Sequence, residues 1–153
     1  FNNSFSFLLP GYNLRSTEIN AVAGIKQLRK LPFLIKQRRK NANFYKKIFK
    51  DSKFIIQKEI GNSSSFWLTF IIKKEFKINR NFLIKKLKNV GVECRPIVSG
   101  NFLKNKVCKY LNFKVSGKLK NADYISENGF AIGNNHHDLS KNLIKIKKFL
   151  EKI

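Results

Sequence analysis

Seven consecutive residues, Phe66–Ile72 (FWLTFII), put bulky side chains on both faces of any strand they form. Trp67, Thr69 and Ile71 stand on one side, with Phe66, Leu68, Phe70 and Ile72 on the other. A strand of that kind belongs in the middle of a sheet whose faces are covered. The flanking sequence must therefore supply both strand neighbours and helical cover.

It offers both. KFIIQKEI (53–60) reads as a strand, and VECRPIV (92–98) as another that Pro96 places at an edge or terminates. FAIG (130–133) is a short further strand. NRNFLIKKLKNVG (79–91) has the pattern of a short amphipathic helix, with Asn79 as its cap and Gly91 as its stop. LKNKVCKYL and NADYISENG read as one or two helical turns each. Leu139 to Ile153 carries a seam of Leu139, Leu143, Ile146, Leu150 and Ile153. The order strand–strand–helix–strand–helix–strand–helix describes a small α/β sandwich, a short sheet packed by helices.

A long helical segment precedes it. Residues 1–15 read as an irregular lead-in ending in a Gly-Tyr-Asn turn, after which Ser16 can cap a helix and Glu18 suits its dipole. Ala21, Ala23 and Gly24 let another backbone approach closely, so this helix is expected to be buried or at a subunit contact. Pro32 should break or kink it, and a second helix, Phe33–Phe49, follows with a very basic outer side. The chain contains no Met, and Phe5, Phe7, Leu8 and Leu9 look ready for burial, so it is expected to be the C-terminal piece of a longer protein.

The net charge of +23 prompts a nucleic-acid hypothesis. Its detail weakens that reading. Only six of the 32 basic residues are Arg, and the Lys residues are scattered over every expected helix. Lys, Asn, Ile and Phe are encoded by A/T-rich codons, so genome composition can produce much of this charge. No zinc-finger spacing or RNA-recognition signature accompanies it. No apolar run reaches the roughly 20 residues that span a bilayer, and the opening residues lack the pattern of a signal peptide. Cys94 and Cys108 form no CxxC and suit two partly buried thiols in a reducing cytoplasm; no metal site is expected.

Two donor-rich turns remain. Tyr12-Asn13-Leu14-Arg15 places an amide and a guanidinium before a helix N-terminus, a sensible phosphate site. In RPIVSGN, Arg95 leaves a strand beside Pro96 and Asn101 follows a glycine turn, so Arg95 can present a bidentate donor to a phosphate or carboxylate. Taken alone, each turn is more often structural than functional. His136 and His137 are adjacent in GNNHHDLS and point to opposite sides in extended chain, so they cannot share a metal. The plain reading is a polar loop with Asp138 or Ser140 capping the last helix, although one His could reach a ligand.

GYNLRSTEINAVAGIKQLRKL, RRKNANFYKKIF and SSFWLTFII together resemble the DegT/StrS-type sugar-nucleotide aminotransferases. VECRPIVSGNFLKNKVCKYL and NADYISENGFAIGN resemble the family's 3-dehydratase branch. The resemblance implies the C-terminal part of a fold-type I transferase dependent on pyridoxal 5'-phosphate (PLP). Residues 1–50 would be the end of a large domain with its linking helices, and 51–153 a small domain. It implies a homodimer with shared active sites, in which Tyr12, Asn13 and Arg15 contact the partner's cofactor. Arg95, Asn101 and His136 would line the nucleotide-sugar pocket. Glutamate would convert PLP to its pyridoxamine form, and the cofactor would serve as electron sink while the sugar's 3-hydroxyl leaves. A His in place of the usual Schiff-base Lys, upstream of Phe1, would separate the dehydratases from the 4-aminotransferases. No catalytic residue is expected within this chain, and a cytoplasmic location follows from the same resemblance.

Overall fold

Residues 6–11 and 17–153 are described by the structure, a computed structural model. Helix α1 (Glu18–Leu28) begins where the Thr17 hydroxyl accepts the Asn20 N–H at 3.3 Å. The expected cap, Ser16, lies outside the described residues. Pro32 sits in the first turn of helix α2 (Leu31–Phe49), where its missing N–H costs nothing. The break expected at Pro32 therefore separates two helices.

The sheet is antiparallel throughout. Strands β1 (Phe54–Ile55), β2 (Trp67–Ile72), β3 (Cys94–Arg95) and β4 (Gly129–Gly133) lie in the order β1-β2-β4-β3. β2 is interior, as its two-sided character requires, and β3 is at the edge, where Pro96 withholds no ladder hydrogen bond. Only Phe54 and Ile55 of the expected first strand pair with β2. Between β2 and β3 runs helix α3 (Arg80–Asn89). The Asn79 side chain accepts the Phe82 N–H at 3.0 Å, and Gly91 with φ +80° ends the helix. Two 3-10 turns, Phe102–Lys104 and Lys106–Tyr110, lead toward helix α4 (Lys120–Asn128), and helix α5 (Ser140–Glu151) closes the fold.

Leu68, Phe70 and Ile72 of β2, with Phe130 and Ile132 of β4, face a core completed by α2, α3 and α5. Phe70 is its centre. Its ring stacks on Phe130, its register partner, at 5.1 Å, and meets Tyr45, Phe49 and Phe54 edge-on at 5.0 to 5.3 Å. The Tyr45 hydroxyl donates to the Thr69 carbonyl, so this phenol is buried without losing a partner. Burial pushes its pKa well above the usual tyrosine value. Leu143 and Leu150 carry the seam of α5 into the same core. Helix α1 is different: none of its residues is buried in this chain, so its small residues are not packed here as one of the two expectations had it.

Candidate functional site

Edge strand β3 ends at Arg95, and the chain then turns sharply. The Gly100 N–H closes on the Ile97 carbonyl at 2.9 Å, with Val98 at the first central position and φ +44°. A β-branched residue avoids that left-handed region, so the turn is strained and must be held by its surroundings. Two glycines show what holds it. A Cβ on Gly100 would lie 2.5 Å from Ser126 Oγ, and one on Gly129 would lie 2.6 Å from Ile97 Cδ1. The turn is thus pressed against the junction of α4 and β4, at a distance only glycine permits.

Asn101, next in sequence, is only 7% exposed. Its Oδ1 accepts the Leu103 N–H at 3.1 Å, capping the first 3-10 turn, and its amide donates to Asp123 at 2.8 Å. Lys104 reaches Asp123 and Glu127, both at 3.0 Å. Asn101 first, then Lys104, hold the Asp123 carboxyl below the usual range. Asp123, Ser126 and Glu127 share one face of α4, so the segment from Gly100 to Lys104 is fastened along a single helical ridge. On its other side α4 is tied to the sheet by the Tyr124 hydroxyl, which donates to the Ile72 carbonyl.

Arg95 itself is exposed and paired with Glu93 two residues earlier (Nε to Oε1, 2.8 Å). It lines a cavity of about 700 Å³ with Trp67, Ile132, Gly133 and Asn142. The turn after it lines a smaller cavity of about 250 Å³ with Ser6, Arg80 and Ser126. Arg95 and the turn therefore border separate cavities, and neither of these two includes Asn101 or His136.

His136 is exposed, its ring 4.2 Å from that of His137 and tilted by 39°. The loop that carries them is held by two residues that no local pattern singles out. Buried Asn41 on α2 donates to Asn134 Oδ1 (3.1 Å) and to the His137 carbonyl (2.8 Å), and it accepts the Leu139 N–H (3.2 Å). Buried Asn134 donates to the carbonyls of Arg38 and Ser65 at 3.0 and 2.7 Å. Asp138 Oδ1 accepts the Ser140 N–H at 2.9 Å, a turn just ahead of α5; the N-cap itself is Leu139, so neither Asp138 nor Ser140 caps the helix as expected. The Ser140 hydroxyl first, then its N–H, with Lys40 adding to them, hold the Asp138 carboxyl low.

The other candidate turn, with Tyr12, Asn13 and Arg15, lies outside the described residues. Its approach is visible. Phe7 donates its N–H to Asn105 Oδ1 at 3.1 Å and accepts the Val107 N–H at 2.9 Å. The lead-in therefore runs beside the 3-10 turns that continue from Asn101, and Phe7 rests on Phe102 with ring centroids 5.9 Å apart. Phe7, Leu8 and Leu9, expected to be buried, are exposed in this chain, and Phe5 lies outside the described residues. Cys94 is buried, with its thiol pushed up to about 11 by desolvation, and Cys108 is half-buried. Among the described residues no helix is long and apolar enough to cross a membrane.

Residues 2–146 match the sequence model of the DegT/DnrJ/EryC1/StrS aminotransferase family. The chain is 48% identical, over 97% of its length, to a GDP-4-keto-6-deoxy-D-mannose 3-dehydratase of Yersinia pseudotuberculosis. It is 44% identical, over 99% of its length, to the same enzyme of Escherichia coli O55:H7. It spans 39% of each of these relatives. A crystal structure of GDP-4-keto-6-deoxymannose-3-dehydratase with a trapped PLP-glutamate geminal diamine superposes with a TM-score of 0.85 at 44% identity, covering 96% of this chain and 39% of that one.

Proposed function

Since the chain belongs to the DegT/DnrJ/EryC1/StrS aminotransferase family, we propose that it serves as the C-terminal part of a PLP-dependent nucleotide-sugar 3-dehydratase. Its substrate would be GDP-4-keto-6-deoxy-D-mannose, and its setting deoxysugar synthesis for lipopolysaccharide in the cytoplasm. The observation that carries this reading is the 48% identity sustained over 97% of the chain. The fold-type I architecture seen at TM-score 0.85 accords with it.

The residues present suit the cofactor in kind. Tyr12, Asn13 and Arg15 offer a phenol, an amide and a guanidinium just before α1, whose first turn is exposed at Thr17 and Glu18. In this proposal they bind the phosphate of PLP held by the partner subunit of a homodimer. When bound, PLP supplies the electron sink that allows the 3-hydroxyl to leave, with glutamate as amino donor. Arg95 would hold the nucleotide sugar from the edge strand, its guanidinium paired with Glu93. Asn101 would act from within, fixing the turn by its cap and its bond to Asp123. His136 would face the sugar from the loop that Asn41 and Asn134 hold. Residues 1–50 would lead from a larger cofactor-binding domain, with the apolar face of α1 at the subunit contact and α2 packed on the small domain.

The test is turnover by the full-length enzyme, supplied with GDP-4-keto-6-deoxy-D-mannose, PLP and glutamate, with products resolved by mass spectrometry. A 3-deoxygenated sugar is the expected product. A 4-amino sugar would transfer the chain to the aminotransferase branch, and absence of any turnover would overturn the reading.

A further inference from the structure

Arg80 breaks a local rule. It is the first residue of α3, where the helix dipole disfavours a cation, and the first turn of α3 contains no acidic residue. Its guanidinium instead crosses to the far end of α4. Nη1 donates to the Ser126 carbonyl at 2.5 Å and lies 3.5 Å from the Gly129 carbonyl. Those carbonyls belong to the last turn of α4 and the start of β4, where a cation is favoured.

The same two residues support the strained turn. Gly100 approaches Ser126, and Ile97 approaches Gly129, with no room for a Cβ at either glycine. Arg80, Ser126 and the Ile97–Gly100 backbone line one small cavity. The α4–β4 junction is thus clasped by Arg80 and loaded by a turn whose Val98 sits at φ +44°. Relaxation of the junction would free that turn to leave the left-handed region.

From this we infer that Arg80 is a positioning residue for nucleotide-sugar binding: by clasping the Ser126 and Gly129 carbonyls it fixes the turn that follows Arg95. The inference rests on the proposed role of Arg95. Both carbonyls are met by the one Nη1, which the rigid guanidinium plane carries to the junction; a shorter, flexible ammonium loses that fixed placement, so Lys should not replace Arg fully.

The experiment uses the full-length enzyme with PLP, glutamate and GDP-4-keto-6-deoxy-D-mannose, comparing wild type, Arg80→Gln, Arg80→Lys, Arg95→Ala and the double variant Arg80→Gln/Arg95→Ala. For Arg80→Gln we expect KM to rise about tenfold, as a loss on the scale of one positioning contact. PLP absorbance should stay at the wild-type level and kcat should change less than about threefold. Arg80→Lys should fall between the two, and it carries the test should the Gln variant not fold. On the Arg95→Ala background the Arg80→Gln effect on KM should shrink to about twofold or less, because the contact being positioned is gone. A lowered Tm with unchanged KM would reduce Arg80 to a purely structural brace and overturn the inference. So would full additivity in the double variant. If Arg95→Ala alone leaves KM unchanged in an enzyme that turns over, the pocket assignment of Arg95 fails instead, and the inference with it.

Discussion

Helices α1 and α5 are nearly equal in length, 11 and 12 residues, and both carry regularly spaced branched aliphatic side chains. Their fates are opposite. Leu143 and Leu150 of α5 are buried beneath the sheet, whereas Ile19, Val22, Ile25 and Leu28 of α1 all stand more than half exposed. Periodicity announces that a face will be covered, but it does not say by which chain. For α5 the cover is the β2–β4 core. For α1, in the proposed homodimer, it is another subunit, and the small residues Ala21, Ala23 and Gly24 suit that contact.

The sharpest way to break this contrast is to truncate the seam of α5. Leu143 is fully enclosed, so Leu143→Ala should cost the 153-residue chain about 2–5 kcal/mol, through lost transfer energy and the cavity left behind. Urea unfolding followed by circular dichroism measures it. A loss below about 1 kcal/mol would mean that α5 is seated no more firmly than α1.

What seats α5 was only partly legible in the sequence. The seam, the interior position of β2 and the Asn79–Gly91 boundaries of α3 follow from spacing and cap chemistry, which act within a few residues. The bond from the Leu139 N–H to Asn41 spans 98 residues. In a chain with 18 asparagines, nothing local marks Asn41 and Asn134 as two that are buried. Nor does composition reveal that Val98 takes a positive φ, since that strain comes from contacts with Ser126 and Gly129 far along the chain. The Glu93–Arg95 pair could have been anticipated, because residues two apart in a strand share a face.

Asn41→Ala sharpens the comparison at the entry to α5. It strands the Leu139 N–H and the Asn134 Oδ1, groups left without this partner, at about 1–3 kcal/mol. Hydrogen exchange of the first turn of α5 should accelerate, while α1, already exposed, should exchange as before. Equal acceleration in both helices would show global loosening.

A smaller effect comes from the thiol on β3 that belongs to the same core. Burial raises the Cys94 pKa to about 11 from an ordinary value of 9.0. The folded state therefore holds this proton more tightly than the unfolded state. Its contribution is complete below about pH 9 and is lost as pH rises toward 11. Cys94→Ala should flatten that part of the stability profile in urea titrations, although its overall stability will also be lower. A slope unchanged by the substitution would assign the alkaline loss to other groups, Tyr45 first among them.

The smallest expected change lies on α1. Ile25 is 58% exposed, so Ile25→Ser should alter the stability of the 153-residue chain by no more than about 0.5 kcal/mol, as surface substitutions do. The same substitution in the full-length protein places a hydroxyl in the proposed subunit contact, where partial desolvation and lost apolar area act together. Sedimentation velocity should then show the dimer dissociating at concentrations where the wild type stays associated. The two measurements separate the covers available to α1. Unchanged association would place the contact elsewhere, whereas a large loss of stability in the 153-residue chain itself would mean that α1 folds back onto its own domain.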